Sequence, residues 1–98
     1  MKIAEWGKNR VLHDPSFLNC QADAARVQRE KGLAARKDIE DSLYLVAAVC
    51  LTGTDKRHAI NYELTDDIAG FADSPEVRAL LKPFVDEAMR RGGWEESE

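Results

Sequence analysis

From Leu18 onward, the positions Leu18, Ala22, Ala25, Arg29, Gly32, Arg36, Ile39, Leu43, Val46 and Cys50 follow one another at alternating spacings of four and three. This is the heptad spacing of a helix with one seam. The ends of the seam are apolar, but its middle is Arg29, Gly32 and Arg36, which pack poorly, and the glycine disfavours helix. Two expectations follow: one long helix over 16–52 with a solvated waist, or two helices meeting as a hairpin at Lys31-Gly32. The unbroken phase favours the single long helix, because a turn has no reason to preserve register.

Local start and stop signals frame the remaining elements. Asp14-Pro15 places an N-cap acceptor before a proline suited to the first turn, so a helix is predicted to begin near residue 15. Gly53 supplies a stop, and the polar run Gly53–Asn61 reads as a loop. His58, Ile60, Tyr62 and Leu64 alternate like a strand, yet no second strand exists to pair with them, so a sheet is rejected. Thr65 with Asp66 and Asp67 predicts a short helix through Ile68 and Phe71.

Ser74-Pro75-Glu76 predicts the start of a last helix, with the serine hydroxyl as cap. Its apolar positions Val77, Leu80, Leu81, Phe84, Val85, Ala88 and Met89 keep helical spacing up to Arg90, Arg91 and Gly92. Pro83 within it predicts a kink near Ala79–Lys82 or a restart. The segment 93–98, with three glutamates, is expected to be a mobile acidic tail. The predicted fold class is all-α: a small helical bundle or long α-hairpin of three to four helices, one of them long and kinked in the single-helix alternative.

The length of 98 residues suits one core, 1–98 as a single helical domain, burying roughly two thirds of its unfolded surface. Margins at this size are thin. A long helix with apolar side chains on both faces would leave apolar surface exposed in a monomer, which predicts a dimer or another protein partner. Met1–Gly7 is followed by no run resembling a signal h-region, and the apolar stretch Leu43–Leu51 is shorter than the roughly 20 residues a bilayer requires. A cytoplasmic chain with no membrane contact is the expectation.

Cys20 and Cys50 form no metal-binding pair and lie in apolar helical patterns, so both are expected to be buried, reduced thiols. No metal and no cofactor is predicted. The acids Asp38, Asp41, Glu63, Asp66 and Asp67 lack the spacing of a calcium loop. His13 and His58 each have a carboxylate nearby in sequence, Asp14 and Asp55, which leaves open an enzyme built on His58 with a polar pocket over 55–67.

Charge is unevenly distributed. Residues 1–37 carry eight Lys or Arg against four Asp or Glu, whereas residues 38–98 carry six against fourteen, for a net charge of −4. The set Arg26, Arg29, Lys31, Arg36 and Lys37, extended by Lys8 and Arg10, is a candidate phosphate-contacting face. Overall acidity and the lack of interleaved aromatics weigh against it. The acids Asp38, Glu40, Asp41, Glu63, Asp66 and Asp67 also leave open mimicry of a nucleic acid.

Trp6 and Trp94 lie near opposite ends of the sequence, and each is either a clasp on the core or an anchor for a partner. The clasp is favoured for Trp6; the two roles stand level for Trp94. The expected function is a non-enzymatic protein-protein interaction module, a small regulator, inhibitor or adaptor of bacterial or phage type. Its candidate partner-binding residues are Trp94, Trp6, Arg26, Arg29, Arg36 and Lys37. The alternative is nucleic-acid or nucleotide binding through the basic helical face.

Overall fold

The computed structural model describes residues 3–32, 35–52 and 65–94, with side chains from residue 68 onward in the last segment. They form five helices in the order α1 (Glu5–His13), α2 (Pro15–Lys31), α3 (Arg36–Leu51), α4 (Thr65–Asp73) and α5 (Pro75–Arg91). There is no strand among the described residues. The fold is all-α, with one helix more than the three to four expected. The Gly53 stop, the loop over 53–61, the alternating run to Leu64 and the acidic residues 95–98 lie outside the described residues.

The additional helix is α1. Only Gly7 and Val11 of it are buried, and its N-cap, Ala4, offers no side-chain acceptor. An apolar stripe this thin gives no periodic signal. Tertiary packing holds the helix instead: α1 lies mainly against α3, and the Ala4 amide donates to the Leu51 carbonyl at 2.8 Å. At its end Asp14 is extended, as a residue preceding proline must be. The Asp14 carboxylate accepts from the Ser16 amide at 2.9 Å, so this residue stops α1 and caps α2.

Residues 16–52 are not one helix. Gly32 adopts the left-handed conformation at φ 63° and ends α2, its amide donating back to the Arg29 carbonyl. Ala35 is extended, and α3 starts at Arg36. The unbroken heptad phase is therefore a coincidence of two separate helices. It also drifts off the core within α3, where the buried positions are Ile39, Leu43, Tyr44, Ala47, Ala48 and Leu51. These follow the 3.6-residue period of a straight helix, so the heptad positions Val46 and Cys50 rotate out of the interior.

Both halves of α5 bury apolar side chains, Val77 and Leu81 before Pro83 and Phe84, Val85, Ala88 and Met89 after it. That anchorage keeps the helix running through Pro83 with no restart, and the proline ring is exposed. Ser74 stands at the N-cap, but its hydroxyl makes no capping bond. The core is a single cluster drawn from all five helices, in which the Phe17 and Phe84 rings stack at 5.4 Å. Arg78 ties α5 to its neighbours: its guanidinium lies 4.3 Å from the Tyr44 ring centre and bonds to the Ala72 carbonyl, Asp41 and Asp73. No described helix is long and apolar enough to cross a membrane.

Candidate functional site

α2 packs chiefly on α5 and touches α3 only lightly. The two helices adjoining the Gly32 turn are consequently splayed, and the space between them is an apolar groove of about 610 Å³. Phe17, Cys20 and Gln21 line its α2 wall, and Leu45, Val46, Val49 and Cys50 its α3 wall. A smaller extension of about 350 Å³ shares Gln21 and Val46 and continues past Ala24 and Ile39 to Gln28 and Asp38. Leu45 and Val46 are 42% and 38% exposed there. Arg10, Asp14 and Ser16 line the opposite end.

The groove follows from the sequence of α3. The stretch Leu43–Leu51 is apolar around the whole helix, whereas an outer helix of a small protein buries one face. Leu43, Ala47, Ala48 and Leu51 take the interior, leaving Leu45 and Val46 in contact with water. On α2 Phe17, Ala22 and Ala25 are buried, Phe17 and Ala25 also bordering the groove, and Gln21, Ala24 and Gln28 complete its wall. Sequence reasoning detected the surplus of apolar surface but assigned it to a seam along one helix.

The residues singled out from the sequence do not converge on this groove. Trp6 is 54% exposed on α1 and so is not a clasp on the core. Trp94 is half-buried on α2, its indole Nε1 donating to the Ala25 carbonyl at 2.9 Å and its amide to the Met89 carbonyl. Of the segment expected to be a mobile tail, Gly93 and Trp94 are thus seated on the fold.

The five central members of the basic set are divided between the end of α2 and the start of α3, and four of them, Arg26, Arg29, Arg36 and Lys37, are engaged by neighbours. Arg26 bonds Asp23 and Glu30 at 3.1 and 3.2 Å, Arg36 bonds Glu40 at 2.6 Å, and Lys37 bonds Asp41 at 3.2 Å. The two carboxylates beside Arg26 hold its guanidinium further on the charged side than usual. Arg29 donates from Nε to the Gly92 carbonyl at 2.8 Å. Only Arg10, from the proposed extension of this set, lines the groove.

Cys20 is exposed and Cys50 half-buried, neither in a disulfide, so neither is the fully buried thiol its apolar pattern implied. Both line the groove. His13, exposed, borders a separate hollow with Pro83, Glu87 and Arg91. Among the described residues no three His, Cys, Asp or Glu side chains cluster as metal ligands. His58, Asp55 and Glu63, and the side chains of Asp66 and Asp67, lie outside the described residues, and with them the polar pocket expected over 55–67.

No protein-family model, curated protein or solved structure matches the chain.

Proposed function

We propose that this protein is a non-enzymatic interaction module whose docking surface is the α2–α3 groove, and that the groove receives an amphipathic helix of a partner protein. The observation that carries this reading is the placement of Leu45 and Val46. Two large aliphatic side chains stand open to water on the wall of a groove, in a protein that buries most of its other described large apolar residues. Contiguous apolar surface of this kind marks interaction sites.

The dimensions suit a helix. From Phe17 to Gln28 the α2 wall runs about 16 Å at 1.5 Å per residue, which matches about three turns of a partner helix. Such a helix presents anchors at positions i, i+3 or i+4, and i+7. Gln21, Gln28, Ser42 and Asp38 give the extension a polar border, as expected of an interface whose apolar centre is rimmed by polar groups.

Affinity capture from a bacterial lysate, with and without nuclease, run in parallel with the wild-type protein and a Leu45→Ser/Val46→Ser variant, tests the proposal. The expected result is a protein partner retained by the wild type and lost with the variant. Retention of the same partner by both proteins refutes the groove as the docking surface. Recovery of nucleic acid alone supports the basic-face alternative, and concentration-dependent sedimentation that the double substitution abolishes identifies a second copy of the chain as occupant.

A further inference from the structure

Arg10 lines one end of the groove with its guanidinium carbon 5.6 Å from the centre of the Phe17 ring. Its Nε is buried and has no hydrogen-bond acceptor. The other described arginines all have one. Arg26, Arg36, Arg78, Arg90 and Arg91 each bond a carboxylate, and Arg29 bonds a carbonyl. Asp14 lines the same end, but its Oδ1 accepts from the Ser16 amide and it forms no ion pair with Arg10. Among the described residues Arg10 is thus a half-buried guanidinium without a paired anion, in a chain of net charge −4, beside the apolar groove.

An unbonded buried donor is costly, and a guanidinium stacked on an aromatic ring presents its remaining donors in a fixed plane. We infer that Arg10 is the anion-recognising end of the docking groove, and that the partner helix it selects carries a glutamate or aspartate one turn from its apolar anchors. The carboxylate takes the terminal Nη groups of Arg10, whose Nε is buried, while the anchors lie along Leu45 and Val46. This inference rests on the groove being the docking surface. A single cation beside aliphatic walls suits no more than one negative charge on an apolar body, the more so as Asp14 lines the same end. A polyanion would need several unpaired cations on one face, and Arg26, Arg36 and Lys37 of the basic set are already paired with carboxylates.

The test uses the full chain and synthetic helical peptides of about 14 residues, with leucines three and four apart and a glutamate at either end, matched by glutamine versions. Nitrogen-15 NMR follows the Arg10 Nε–H and the amides of Leu45 and Val46. The glutamate peptide is expected to shift all three signals and to bind about tenfold more tightly than its glutamine match, the ratio of one charge-assisted bond. Arg10→Gln is expected to make the two peptides equal, and Arg10→Lys to restore part of the difference; circular dichroism checks that both variants fold.

Equal binding of the two peptides to the wild type, with Leu45 and Val46 still shifting, overturns the role of Arg10 and leaves the groove standing. No shift at Leu45 or Val46 with any peptide overturns the groove reading and this inference together. Dodecanoate binding at Arg10 while every peptide fails also overturns the inference, and it assigns the groove to a small apolar acid.

Discussion

Gly92→Ala probes how α5 is seated on α2. A Cβ at this position would lie 2.9 Å from the Ala25 Cβ, 3.0 Å from the Arg26 amide nitrogen and 3.2 Å from the Ala22 carbonyl oxygen. Carbon contacts settle at about 3.5–4.0 Å, so the end of α5 must retreat by roughly 0.6–1 Å. Two of the three obstacles are backbone atoms of a helix and cannot rotate aside. Overpacking of this kind costs about 1–3 kcal/mol.

The retreat also stretches the Arg29 bond to the Gly92 carbonyl and the Trp94 bond to the Ala25 carbonyl, now 2.8 and 2.9 Å; each is worth about 1 kcal/mol. Alanine suits the φ of −74° at Gly92 and restricts the unfolded chain, which returns about 0.4–1 kcal/mol. The net expectation is a loss of about 2 kcal/mol. For a domain of this size that corresponds to roughly 10 °C in Tm.

Thermal and urea unfolding followed by circular dichroism measure the loss, and Trp6→Phe leaves Trp94 as the fluorescent reporter of the α2–α5 contact. Ala25→Gly removes the nearest obstacle, so the double variant Ala25→Gly/Gly92→Ala is expected to be more stable than the sum of the single losses by about 1 kcal/mol. Unchanged or raised stability of Gly92→Ala, or strict additivity in the cycle, refutes the close seating of the two helices.

Three further expectations follow from other sites. The Arg90 side chain, followed by Arg91, bonds the Glu87 carboxylate and holds its pKa down from 4.5 to about 2. The stability it contributes is complete above about pH 4.5 and disappears as pH falls toward 2. A carbon-13 titration should place the Glu87 midpoint near the lower value and move it upward in high salt, while Glu87→Gln flattens that part of the stability profile; an ordinary glutamate midpoint contradicts the pairing. Gly32 has φ 63° with open space around its Cα, so Gly32→Ala is expected to cost about 1–2 kcal/mol in urea unfolding and Gly32→Asn clearly less. Equal losses would show that crowding, and not handedness, reserves the position for glycine. Leu45→Ser and Val46→Ser should each change stability by no more than about 0.5 kcal/mol; a larger loss in the same unfolding assay means that these side chains support the fold.

The helices legible in the sequence were those with a local punctuation mark and a full apolar face. Asp14-Pro15 opens α2, and Pro75-Glu76 opens α5 after Ser74, although the serine hydroxyl turned out not to be the cap. α1 lacked both signals because its stability comes from α3, through the Ala4–Leu51 bond and the burial of Val11. The heptad phase across Gly32 misled for a related reason. Spacing measures which residues share a face, whereas the left-handed φ of one glycine decides whether the chain continues at all. The groove was half legible. The all-round apolarity of Leu43–Leu51 announced unburied surface, but which side remained open depended on α2 choosing α5 over α3, and that choice is made by residues distant in sequence.

That choice separates the determinants of the fold from those of the proposed docking surface. α2 is fastened to the end of α5 by the Gly92 approach, by Arg29 on the Gly92 carbonyl, by Trp94 on the Ala25 carbonyl and by Arg91 on Asn19 at 2.9 Å. α3 is fastened elsewhere, to α1, α4 and α5. The width of the groove is set by these fastenings and owes little to the aliphatic residues that line it. Leu45 and Val46 can therefore vary with binding specificity at little cost to folding. Phe17 has no such freedom, since its ring serves the core stack with Phe84 and the platform under Arg10. Substitution of Phe17 must lower stability and recognition together, whereas Arg10 substitutions act on recognition with the Phe17–Phe84 stack left in place.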